Sequence, residues 1–223
     1  MPMRVRYLLL MLCALPLAAA AQGFKFSTEE AKAREAAKAQ QAEREQRIAT
    51  QLSTPCREQI RNRKIMVLIG EEVNGEVQAR QAAFSPHLDA INRRLQHLGL
   101  RTYSPGEIRK QIAQAEIDAY FKNNPDAALS AARRLAANYT LKGLISARAM
   151  RNPMIPVNQV AVSMHFVLTG SDGKPVAQAE AQSQSYSGAD VQGMALTLIN
   201  EQAEEVVAKL YSEYCQQPVG RRK

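Results

Sequence analysis

The chain has 223 residues, three of them cysteine, and a formal net charge of +8 at pH 7. After the first two dozen residues, no run approaches the roughly 18 apolar residues that a membrane-spanning helix requires. The basic residues cluster without interleaved aromatic side chains, which argues against nucleic acid as a partner.

The chain begins with the pattern of a secretory signal peptide, which we assign to residues 1–21. Arg4 and Arg6 form a basic start, residues 7–17 form an apolar core, and alanines precede Gln22. Cys13 lacks the small preceding residues of a lipoprotein leader. We therefore predict a cleaved leader, no lipid anchor, and a mature chain that is periplasmic or secreted.

Residues 22–55 are polar, rich in alanine, glutamate, lysine, arginine and glutamine. Charged pairs at i,i+4 spacing, such as Glu43 with Arg47, favour a helix. Because only Ile48 and Leu52 are available for burial, we predict that this helix projects from the domain or acts as a spacer. Pairing of its alanine stripe with another helix is the alternative.

The run from Ile65 to Ile69 is apolar without a break and ends at Gly70. Such a run predicts a central strand that is covered on both faces. Ser85-Pro86 and Ser104-Pro105 each combine an N-cap with a helix-initiating proline. The resulting order for residues 56–215 is β-α-β-α-α-β-β-β-α, which predicts a single mixed-sheet α/β domain preceded by the polar helix.

Three strands are predicted after Tyr139, where the hydrophobic period changes to two. Gly143 lies inside the first and indicates a bulge or the close packing of a helix. The second carries His165 on its polar face, where we predict a surface histidine without a partner. Asp172-Gly173 predicts the turn that leads into the third strand.

Cys56 and Cys215 are the two cysteines that remain after the leader is removed. In an oxidising compartment an even pair favours a disulfide, which would close a loop of about 160 residues. Two buried free thiols are the alternative. The bond would join the chain just before the central strand to the end of the last helix.

Two basic clusters account for the positive charge of the mature chain. They comprise Arg57, Arg61, Arg63 and Lys64 near the central strand, and Arg221, Arg222 and Lys223 in the tail, residues 216–223. A disulfide would bring both clusters to one end of the domain. The joined patch is a candidate surface for an acidic partner or anionic lipid head groups. The alternative is that this end of the domain is exposed to solvent and has no binding function.

A polar segment from Gly70 to Glu76 follows the central strand and is predicted to be a loop. It carries Glu71, Glu72 and Glu76, and loops at this edge of α/β sheets often bind ligands. Three carboxylates suit a hard cation, but the spacing matches no calcium loop. A solvated loop is the alternative.

The stretch from Asn138 to Ile145, together with the predicted helices and strands before it, resembles part of a known family of domains. Tyr139 and Gly143 stand where a G-A-D-Y-x-x-x-G type stretch enters the third strand of an anticodon-binding-like envelope domain. The chain resembles this group over about residues 60–211. The group includes the TolB N-terminal domain, the curli secretion channel subunit, penicillin-binding-protein activator lipoproteins and flagellar assembly protein T.

The resemblance implies a non-enzymatic exported adaptor that binds a protein of a cell-envelope assembly, secretion or flagellar machine, with no catalytic residues and no cofactor. Two alternatives remain: a soluble regulator of peptidoglycan synthesis, and a metal-dependent enzyme that uses Glu71, Glu72 and Glu76, assisted by His165. The sequence leaves the oligomeric state open.

Overall fold

The computed structural model describes residues 26–73, 75–79, 85–151 and 157–218. The predicted leader, Arg221, Arg222 and Lys223 lie outside the described residues. The helices are α1 (Phe26–Leu52), α2 (Arg57–Ile60), α3 (Ser85–His97), α4 (Pro105–Gln111), α5 (Gln114–Phe121), α6 (Pro125–Leu135) and α7 (Val191–Gln216). The strands are β1 (Lys64–Val73), β2 (Glu76–Gln78), β3 (Arg101–Thr102), β4 (Tyr139–Arg151), β5 (Asn158–Gly170) and β6 (Pro175–Ser187).

The predicted α/β class is confirmed, with one mixed sheet of order β2-β1-β4-β5-β6. β1 pairs in parallel with β4 on one side. On its other side it pairs antiparallel with β2 and in parallel with β3. Its residues from Ile65 to Ile69 are almost entirely buried. The apolar run therefore forms a central strand covered on both faces, as predicted.

α3 and α7 pack against most of one face of the sheet. Alternate residues of β1, β4, β5 and β6 enter this core, with Phe166 and Leu141 fully buried. The small side chains of Ala177, Ala179 and Ala181 on β6 leave room for α7, which packs along this strand.

On the other face, among the described residues, the layer α4, α5 and α6 covers β1 and the start of β4. The sequence predicts two helices here, the first of which starts after Ser104 and continues, by its apolar spacing, through Ile108 and Ile112. The structure breaks that helix at Ile112, which is extended, because Glu116 accepts a hydrogen bond from the Ala113 N–H and starts α5 anew. The capping box of Ser104 and Glu107 is confirmed.

The described part of the chain divides into two units, at the boundary between residues 41 and 42. In the first unit, the side chains of α1 from residue 29 onward are exposed on every side. In the second unit, Ile48 is buried and Arg44 donates to the Glu201 carbonyl oxygen of α7. The end of α1 is thus attached to the domain. None of the described helices is long and apolar enough to cross a membrane.

Arg134 of α6 connects the separate helices of the smaller layer. It donates to both carboxylate oxygens of Glu116 at 2.8 Å and to the Gln111 carbonyl oxygen at 2.9 Å. The hydrogen bond from Arg134, together with that from the Ala113 N–H, holds the pKa of Glu116 below its ordinary value. The ionised form of Glu116 therefore stabilises the fold.

We expect Glu116→Gln to lower the free energy of unfolding at pH 7 by less than about 1 kcal/mol, because the ion pair is partly exposed. A lowered folded-state pKa contributes stability above the ordinary value of 4.5, which is lost as the pH falls through the folded value. The difference between variant and wild type should therefore disappear in urea titrations near pH 3. A difference that persisted there would contradict this account, and Glu35→Gln on the exposed part of α1 is the control.

Candidate partner-binding surface

The half of the sheet that the smaller helical layer leaves bare is the main candidate surface. We call it the open face. Its side chains alternate with the core residues of β4, β5 and β6, so they point away from α3 and α7. The open face comprises Ser146, Arg148, Met150, Gln159, Ser163, His165, Glu180, Gln182, Gln184 and Tyr186.

Two polar side-chain contacts cross strands on the open face. Arg148 donates to the Glu72 Oε1 atom at 3.2 Å, which connects β4 to β1. The His165 Nδ1 and Glu180 Oε1 atoms are 2.9 Å apart on directly opposed residues of β5 and β6. The prediction that His165 has no partner is wrong, because the strand register places a carboxylate opposite it.

The centre of the open face is a shallow polar depression. Glu72 and Arg148 line it together with the hydroxyl and amide groups of Ser163, Gln182 and Gln184. These groups offer both hydrogen-bond donors and acceptors to an incoming surface.

One end of the open face is apolar. Gln159 of β5 lies opposite Met150 of β4 and opposite Tyr186 of β6, so the three side chains form a row. Met150 is 55% exposed and Tyr186 is 57% exposed. Methionine and tyrosine are enriched in protein interfaces, and this row beside a polar depression matches the mixed chemistry of such interfaces.

Lys142 closes the other end of the open face. Its Nζ atom lies 4.9 Å from the centre of the Tyr120 ring and 5.3 Å from that of Phe121, and donates to the Tyr120 carbonyl oxygen. Burial lowers the pKa of Lys142. This ammonium group therefore attaches α5 to the sheet rather than serving an external ligand.

The predicted carboxylate loop is instead a β-hairpin formed by β1 and β2. Because neighbouring strand residues point to opposite faces, Glu72 lies on the open face, while Glu71 lines a cleft beside α3 and α7. Glu76 is opposite Val73, so its side chain points to the same face of the hairpin as that of Glu71. The hairpin does not bring the three carboxylates together. Among the described residues, no cluster of three or more His, Cys, Asp or Glu side chains could hold a metal ion.

The predicted pairing of Cys56 with Cys215 is present, with Cα atoms 5.7 Å apart. Beside it, the side chains of Arg57, Arg61, Arg63 and Lys64 are exposed, and Glu58 contacts Arg61 at 3.8 Å. The sequence interpretation missed Arg101, which is exposed and lies opposite Lys64 in the sheet. Gly99 ends α3 and indicates a new element after it, but only the pairing of β3 with β1 brings Arg101 to this basic end.

Comparison with known proteins finds no matching family model. No curated protein matches either. Among solved structures, the chain is similar to the hypothetical protein CT253 from Chlamydia trachomatis, with a TM-score of 0.48 and 13% identity over 70% of this chain and 99% of that one.

Two further similar structures carry descriptive names. Lipoprotein GNA1162 from Neisseria meningitidis has a TM-score of 0.39 and 14% identity over 64% of this chain and 99% of that one. The LpoB C-terminal domain from Salmonella enterica has a TM-score of 0.35 and 18% identity over 56% of this chain and 84% of that one. None of these similarities is strong enough to assign a function, and membership of the envelope group that the sequence resembles stays a prediction.

Proposed function

We propose that the chain is an exported, non-enzymatic adaptor that binds a protein of a cell-envelope assembly. The leader pattern and the Cys56–Cys215 bond both suit an oxidising compartment outside the cytoplasm. Apart from the short α2 and β2 and the division of one predicted helix into α4 and α5, the helices and strands follow the predicted order.

The observation that carries the proposal is the contrast between the two faces of the sheet. α3 and α7 cover most of one face, whereas most of β5 and β6 is bare on the other among the described residues. A flat surface that offers paired charges, amides, hydroxyls and two large exposed side chains suits a protein partner better than a small substrate, which binds in a concave and mostly apolar site.

The basic end is proposed as a second contact. Arg57, Arg61, Arg63, Lys64 and Arg101 present positive charge beside the disulfide, and the predicted tail cluster follows in the sequence. Such a cluster would direct the adaptor toward an acidic protein surface or anionic lipid head groups. Because salt screens exposed charges, this contact would weaken steeply as ionic strength rises.

A comparison of variants by pull-down from crosslinked cells tests the proposal. We expect the double variant Ser163→Arg, Gln182→Arg to lose the envelope proteins that the wild type recovers, because two large cations would fill the polar depression. Thr197→Arg is the matched control, since Thr197 is exposed on α7, away from the open face. Equal recovery with all three proteins would contradict the assignment of the open face.

The narrower alternative, a regulator of peptidoglycan synthesis, is separated by a synthase assay with and without the purified protein. Stimulation that the open-face double variant abolishes would favour the regulator.

For the metal-dependent enzyme, elemental analysis of the purified protein is the direct test. Stoichiometric metal that is lost in Glu72→Ala would contradict the adaptor proposal.

A further inference from the structure

β6 is the free edge of the sheet. It is 13 residues long, and in the part of the chain that the structure describes it pairs only with β5. The Gln178 N–H points outward from the sheet, because it donates to the Glu213 Oε2 atom at 2.8 Å. Since backbone direction alternates along a strand, the N–H and C=O groups of Glu180, Gln182, Gln184 and Tyr186 also point outward.

The segment from Glu180 to Tyr186 has few of the usual defences of an edge strand. Lysine, proline and bulges normally block further pairing, and none occurs within it. Its single charge, Glu180, is already paired with His165. The outward N–H of the neighbouring Gln178 is already bonded to Glu213. The outward N–H and C=O groups that could pair with another strand therefore lie between Glu180 and Tyr186.

The residues of this segment whose backbone groups point outward are placed symmetrically on the two sides of Ser183. If a second copy approaches in antiparallel orientation with the two Ser183 residues opposed, Gln182 lies opposite Gln184 and Glu180 lies opposite Tyr186. All outward groups of the segment then find partners, no like charges face each other, and both Glu213 contacts are kept. An isologous contact of this kind closes as a dimer.

We propose that β6 is a dimerisation edge, at which residues 180–186 of two copies of this chain pair antiparallel about a two-fold axis at Ser183. The contact uses one strand per copy and buries less than the roughly 800 Å² per partner of a standard interface. Dimerisation is therefore concentration-dependent.

Cysteine substitution tests the register. Opposed residues in a non-hydrogen-bonded antiparallel pair have Cα atoms about 4.5 Å apart, which a disulfide spans. Ser183→Cys should therefore form a disulfide-linked dimer under mild oxidation. Ser185→Cys is the matched control, because this serine lies on the same face of the strand but would be separated from its copy by four residues. Equal crosslinking of both variants would overturn the proposed register.

Proline substitution tests the pairing itself, with sedimentation equilibrium as the readout. Gln182→Pro removes an outward N–H and leaves the pairing with β5 intact, as proline at an edge position does. We expect it to raise the dimer dissociation constant at least tenfold, whereas Gln182→Ala should leave it unchanged. Circular dichroism should show the same fold in both variants.

Three results would overturn the proposal: a wild-type protein that is monomeric at all concentrations, a proline variant that dimerises as well as wild type, or a purified partner that binds monomeric wild type but not the proline variant. The last result would assign the edge to an extended segment of the partner. The proposed function has a separate test, because Gln182→Arg changes the open face but keeps the outward N–H.

Discussion

Replacing Cys56 and Cys215 together with alanine is expected to lower the free energy of unfolding by up to about 5 kcal/mol. The bond joins residues 159 positions apart, and a cross-link that closes so long a loop removes much of the conformational entropy of the unfolded chain. Both cysteines are also buried beside Ile60 in the larger core, so their removal costs some packing.

Urea unfolding of the wild type, with and without reductant, measures this effect. The reduced wild type should unfold at lower urea concentration than the oxidised protein, and the double alanine variant should not respond to reductant. An oxidised wild type that unfolds at the same urea concentration as the reduced protein would contradict the account. Free thiols in protein taken from its native compartment would contradict it as well.

Gly143→Ala is expected to cost about 1–3 kcal/mol of unfolding free energy, in the range of overpacked cores. A Cβ atom at Gly143 would lie 2.3 Å from the Phe166 Cε1 atom. The Phe166 ring is fully buried, and Phe166 is the residue of β5 directly opposite Gly143. The glycine therefore makes room for the ring, and the predicted bulge or packing of a helix is wrong.

A double-mutant cycle tests this cause. Gly143→Ala should cost less in a Phe166→Leu background than in wild type, because leucine lacks the ring atoms that the new methyl group would meet. Gly188→Ala is the control, since nothing lies within 4 Å of the corresponding Cβ position. An equal cost of Gly143→Ala in both backgrounds would show that Phe166 is not the reason for the glycine.

Local patterns sufficed for much of the fold. The unbroken run from Ile65 to Ile69 predicted a strand covered on both faces, and the alternation of Val160 to Leu168 predicted the inward side of β5. The helix break at Ile112 was missed because the apolar spacing continues through it. Only the contact between Glu116 and the Ala113 N–H reveals the second start.

The candidate surface could be predicted only in fragments. The polar alternation of Ser163 and His165 indicated an outward side for β5, but the neighbours of each strand depend on pairings between distant segments. Met150 and Tyr186 are 36 positions apart in the sequence, and their row with Gln159 exists only through the register of three strands. Arg101 likewise lies beside Lys64 only because β3 pairs with β1, which the sequence does not reveal.

Site-specific photocrosslinking in cells tests the central claim most directly. A photoreactive amino acid at Ser163, in the polar depression, should crosslink to one envelope protein, whereas the same residue at Arg93, exposed on α3, should not. The adduct at position 163 should disappear when Gln182→Arg is added. Adducts from position 93 alone, or none from position 163 at native expression, would contradict an adaptor that binds through the open face.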